Sequence, residues 1–153
     1  MQRSPVSLTD STQRYSTGTP WEAVAGYSRA VRSGDRIHVS GTTASGESGA
    51  MGLDDAGEQA RAVLEIIRSA VESLGGSLSD VVRTRIYVKD IAHWESIARV
   101  HGEFFADIRP ACTLVEARLV DDSLLVEIEA EAVVAEASAV RQAQHERACD
   151  DAL

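Results

Sequence analysis

Apolar positions recur along the chain in two periods, and together they outline one α+β layer. Residues 27–32 and 37–42 carry strand-type patterns and flank Ser33-Gly34-Asp35, a hairpin turn signature. Residues 45–52 hold three glycines and read as a loop. The period then lengthens to 3.6. Ala60, Val63, Leu64, Ile67, Val71 and Leu74 form one face of a helix, with Asp55 and Glu58 at capping-box spacing before it and Gly75-Gly76 closing it. Residues 81–89 return to alternation, placing Val82, Thr84, Ile86 and Val88 on one face and Arg83, Arg85 and Tyr87 on the other. Asp90 is placed to cap a second helix, whose apolar stripe is Trp94, Ile97, His101, Phe104 and Phe105; Arg109-Pro110 ends it. Residues 113–119 and 124–134 supply two further strands. The order ββαβαββ predicts a mixed sheet with two helices on one face. Two helices cover only that face, so the other meets solvent or another subunit. A homo-oligomer that closes the open faces together, with sites at the seams, is the expected arrangement.

The pattern fades at both ends. Residues 1–22 are rich in Ser, Thr, Gln and Pro without an apolar period and read as a flexible N-terminal arm. Residues 23–135 form the domain. Residues 136–153 carry Ala, Gln and charges with no strong apolar face, which reads as a tail or a weak surface helix.

Composition narrows the class. At 153 residues the chain suits one domain, large enough to bury roughly 70% of its unfolded surface. The net charge of −9 and the lack of any basic cluster argue against a nucleic-acid partner, because phosphate contacts need gathered cations. Lys89 is the single lysine, so Schiff-base chemistry has one candidate amine. Cys112 and Cys149 do not make a disulfide framework in a chain of this size. With no secretory leader pattern at Met1 and no apolar run of about 18 residues, the expectation is a soluble, cytoplasmic protein without a membrane partner.

The most unusual segment is the last strand, where Glu127, Glu129 and Glu131 share one face opposite Val126, Ile128, Ala130 and Ala132. Same-face neighbours lie roughly 7 Å apart, so a dry row would raise at least one pKa unless cations such as Arg83 and Arg85 answer it. A solvated acidic face is the alternative reading of the same period. Cys112 follows Arg109-Pro110-Ala111; it is either a thiol activated by a nearby guanidinium or a small buried hydrophobe. His101, on the helix stripe, reads as a core histidine, while His38 stands near the hairpin and His93 and His145 at the surface. No His or second Cys lies at metal-ligand spacing from Cys112, so a zinc site is not expected.

Four segments resemble the RidA/YjgF family in order and spacing over residues 25–134. They are His38-Val39-Ser40-Gly41, the run from Val82 to Asp90, Arg109-Pro110-Ala111-Cys112-Thr113-Leu114-Val115-Glu116, and Leu125-Val126-Glu127-Ile128-Glu129-Ala130. The resemblance implies a chorismate-mutase-like fold, a homotrimeric barrel and small-molecule clefts between subunits. It also implies hydrolysis of reactive enamines and imines without cofactor or metal. In that family an arginine grips the substrate carboxylate and a glutamate positions the attacking water. Carried over by position, the glutamate is Glu127, Tyr27 closes the pocket, Ser40 and Gly41 form its floor, and Thr113 lies beside the arginine position. That position holds Cys112, with Arg109 three residues upstream; Thr42 stands for a glutamine and Ala98 for an asparagine. Loss of a bidentate Arg–carboxylate contact argues against ordinary 2-iminoacid deamination. Two readings follow: a hydrolase for another imine, enamine or related metabolite, or a non-catalytic trimer that binds a metabolite or partner. The family's endoribonuclease label is at odds with the charge balance.

Overall fold

A computed structural model describes residues 12–45, 50–51 and 53–135. The glycine-rich loop at 46–49, the proposed tail at 136–153 with Cys149 and His145, and residues 1–11 of the proposed arm lie outside the described residues.

Within the segment read as an arm, two elements form instead. Gln13–Tyr15 make β1, and Pro20–Ala25 make a short helix, α1, started by Pro20 and closed by Gly26 at φ 70°. The Ser/Thr-rich run has a structural use. The buried Glu22 carboxylate accepts hydrogen bonds from Ser16 Oγ and from Thr17 N and Oγ1, the latter two at 3.1 and 2.9 Å. Polar composition alone reads as an arm, because the acceptor those hydroxyls serve is supplied by a helix that buries it.

The hairpin follows as β2 (Ala30–Ser33) and β3 (Arg36–Thr43), turning at Gly34 with φ 61°. Helix α2 (Ala56–Ser73) starts where Asp55 accepts from Glu58 N at 2.9 Å. Its predicted face, Ala60 through Leu74, is buried. Strand β4 (Val81–Val88) leads through a 3₁₀ turn at Ile91–His93 into α3 (Trp94–Phe105), then β5 (Ala111–Glu116) and β6 (Val126–Val133). The six strands form one mixed sheet in the order β1-β2-β3-β6-β4-β5. Only β4 and β5 run parallel, as the intervening helical crossover requires. Ile37, Val39, Ile86, Val88, Val126 and Ile128 turn inward against α2 and α3, and the opposite sheet face carries the acidic row.

Two expectations about faces are corrected. The register of β4 against β6 shifts between Val81 and Arg83, so Val81 is buried and Val82 is exposed. A bulge changes the face of the residue before it, which strict alternation cannot anticipate. Trp94, expected on the buried stripe of α3, is 52% exposed, and Val100 is buried in that helix. Asp90 caps the 3₁₀ turn by accepting from Ala92 N. The turn postpones the start of α3 to Trp94, at the helix's exposed end.

Candidate functional site

The site begins with an irregularity in β3. Residues 36–39 pair with β6, pairing resumes at Thr42, and Ser40 and Gly41 fall in the register shift between them. A bulge leaves ladder groups in need of partners, and the 27–29 segment supplies them. Ser40 N donates to Arg29 O at 2.9 Å, and Ser40 Oγ donates to Ser28 O at 2.7 Å. The Arg29 side chain, 7% exposed, donates to Gly41 O at 2.7 Å, Thr42 Oγ1 at 3.0 Å and Tyr27 Oη at 3.1 Å. Its guanidinium carbon also lies 5.5 Å from the Tyr27 ring centre.

Glu127 meets this bulge from β6. It stands opposite Thr43 on one side and Tyr87 on the other. A Cβ at residue 41 would overlap Glu127 Oε1, so the glycine makes room for the carboxylate. Burial pushes the Glu127 carboxyl above its ordinary range, Glu129 adds to the rise, and Arg29 opposes it. The remaining acids are answered differently. One nitrogen of Arg85 lies 3.0 Å from both Glu129 and Glu131. Tyr87 Oη donates to Glu129 at 3.2 Å; burial, then Glu129, raises the Tyr87 phenol. Arg83, the other expected partner, makes no ion pair among the described residues. The acidic row is thus divided: two members share Arg85, and Glu127 packs on Gly41.

Cys112 lies elsewhere. It pairs in register with Thr84, and Thr84 with Ala130, which puts it on the helix face of the sheet, opposite to Glu127. There it lines an open cleft of about 360 Å³ with Ile86, Ile91, Trp94, Ala98, His101 and Leu114. Its thiol is free and the residue exposed. His101 is a half-buried histidine, its Nε2 2.9 Å from Thr84 Oγ1 and its ring centre 4.6 Å from that of Phe105; burial lowers its pKa. Arg109, in the turn that follows α3, has φ 53° and turns its Nε to Ala106 O at 3.2 Å. Thr113, exposed on β5, pairs with Arg85 on the Glu127 face.

Within the chain, then, Tyr27, Ser40, Gly41 and Glu127 gather, while Cys112, Arg109 and Thr113 stand apart from them. Reasoning from the sequence missed Arg29. No motif marks it, because its burial depends on acceptors 12 and 13 residues further along. Lys89 holds Asp122 O at 2.6 Å in an exposed turn. Among the described residues no group of three His, Cys, Asp or Glu side chains is placed to hold a metal, and no helix is long and apolar enough to cross a membrane.

Residues 17–134 match the family described as Endoribonuclease L-PSP. The chain is 46% identical to Rv2704 of Mycobacterium tuberculosis, a YjgF/YER057c/UK114 family protein whose crystal structure superposes with a TM-score of 0.75, covering 81% of this chain and all of that one. It is 36% identical over 112 residues to the 3-aminoacrylate deaminase RutC of Acinetobacter baylyi, covering 72% of this chain and 88% of that protein. A RutC family protein of Pyrococcus abyssi is 34% identical over 105 residues, 68% of this chain and 83% of that one. The chain belongs to the RidA/YjgF family, and its mixed sheet with helices is that family's chorismate-mutase-like fold.

Proposed function

We propose that this chain hydrolyses a neutral imine or its enamine in clefts between the subunits of a homotrimer, with Glu127 orienting the water. The observation that carries this reading is the Glu127 carboxylate, seated on Gly41 at the bulge with its proton affinity raised by burial. A carboxylate in that condition accepts a proton from water more readily than an exposed one. Water adds to the C=N carbon and its proton passes by way of Glu127 to the nitrogen. The carbinolamine then expels ammonia or an amine and leaves a carbonyl. Tyr27 closes the pocket, Ser40 and Gly41 form its floor, and no cofactor or metal takes part.

Cys112 and Glu127 occupy opposite faces of one sheet, so no single protomer presents both to one substrate. A neighbouring copy packed along the edge strand β5 would bring them together, with Thr113 and Arg109 beside the seam. The wall that Cys112 shares with Ile86, Trp94, Ala98 and Leu114 carries no guanidinium. The Acinetobacter relative is named for an enamine that bears a carboxylate; here a mostly apolar wall with His101 and Cys112 but no guanidinium favours a substrate without one.

The absence of an arginine from that wall also favours a second reading, a trimer that binds a metabolite or a partner without catalysis. The two separate in one measurement. Neutral imines and imino acids are generated in situ by oxidases, and their decay is followed with wild type and Glu127→Gln. Hydrolysis of the neutral imines is expected, with a loss of about a hundredfold in the variant. Equal rates for both proteins would leave the binding reading.

A further inference from the structure

Arg29 is the one buried arginine among the described residues, and its hydrogen-bonded partners are all neutral: a carbonyl, a hydroxyl and a phenol. No carboxylate among the described residues lies within 4 Å of it. A buried guanidinium is costly unless it is paired, and closing a bulge needs only N–H donors, which a neutral amide also has. The retained charge calls for another use, and two acids lie close enough to respond to it. Arg29 draws both Glu22 and Glu127 toward their ionised forms.

The contacts converge on one residue. Arg29 holds the Gly41 carbonyl from one strand segment, and the Glu127 carboxylate packs on Gly41 from another. Through Thr42 Oγ1, which itself donates to Ser40 O at 2.7 Å, the same guanidinium steadies Ser40. Through Tyr27 Oη it fixes the ring expected to close the pocket. We infer that Arg29 is the positioning residue of this site: it locks the Ser40–Gly41 bulge and Tyr27 around Glu127 and supplies the positive charge against which that carboxylate works. The inference rests on the reading that Glu127 handles the water.

The groups that face Glu127 are Glu129 on its own strand, Tyr87 on β4, Gly41 and Thr43 on β3, and Arg29 behind the bulge. Of the charged ones, Arg29 alone favours ionisation. Arg29→Gln keeps a donor for the bulge and removes the charge, whereas Arg29→Lys keeps the charge and loses the planar fork.

The test uses the full-length protein labelled with ¹³C at the Glu carboxyls, with Glu127→Gln assigning the resonance. In Arg29→Gln the Glu127 titration midpoint is expected to rise by about half a pH unit or more. The acidic limb of kcat/KM for the neutral imine should move to higher pH with it, since the base must be ionised to act. In Arg29→Lys the midpoint is expected to stay near wild type while KM rises severalfold, because Tyr27 and Gly41 lose their shared fork. A folded Arg29→Gln protein with unchanged midpoint and unchanged pH profile would reduce Arg29 to a structural brace and overturn the inference. Failure of the catalytic reading shows separately, as full hydrolysis by Glu127→Gln.

Discussion

A half-buried carboxylate seated on a glycine, with a second carboxylate on the same sheet face, opposes the stability of the fold that holds it. Burial, then Glu129, raises the Glu127 carboxyl above its ordinary range, against the pull of Arg29. The folded chain therefore binds that proton more tightly than the unfolded chain does. Its contribution favours folding below the unfolded value and is lost as pH climbs through the folded value. Glu127→Gln has no such loss. Its melting temperature should exceed wild type at about pH 7, and the difference should shrink toward about pH 4 in thermal melts. A constant difference across that range would mean that ionisation of Glu127 carries no cost. The acidic row itself was legible in the sequence, because period two fixes which side chains share a face. Which acid would be set apart was not legible. That depends on a bulge in β3 and on an arginine, Arg29, that looks from its neighbours like any polar residue of a hairpin strand.

At the scale of elements, buried polar groups join what periodicity leaves separate. Gln59 lies on the buried face of α2, wholly shielded from solvent. Its amide nitrogen donates to Leu53 O and Ser123 O at 2.7 and 2.9 Å, and its oxygen accepts from Leu125 N at 2.9 Å. One side chain thus ties the approach to α2 to the approach to β6, the strand that carries Glu127. Gln59→Leu fills the space but leaves three backbone groups unpaired, and should cost about 2–4 kcal/mol in denaturant unfolding with far-UV circular dichroism unchanged. A loss under about 0.5 kcal/mol would mean that water replaces all three contacts. The helices were readable because each has an apolar stripe of the right period. Periodicity misplaces Val82 and Trp94 because a bulge and a 3₁₀ turn each change phase without altering composition.

At the scale of the molecule, α2 and α3 pack on one face of the sheet and the acidic row lies on the other. Val115, on that face of edge strand β5, is 44% exposed, and on the helix side Ile91 and Trp94 are exposed beside the Cys112 cleft. Apolar groups at an open edge favour a further layer of protein. Sedimentation equilibrium should give three times the 16.4 kDa chain mass. A monomer at micromolar concentration would leave Cys112 and Glu127 on separate surfaces and remove the proposed cleft between subunits.

The order of the main elements, the buried faces of α2 and β6, the acidic row and the family are all legible in the sequence. All of these follow from local periods and contiguous motifs. The fold adds Arg29 at the centre of Tyr27, Ser40, Gly41 and Glu127, turns Cys112 to the other face, and lays the Ser/Thr-rich lead-in over Glu22. Sheet register, bulges and burial are set by partners far along the chain, and a periodic pattern carries no record of which partner a strand will find.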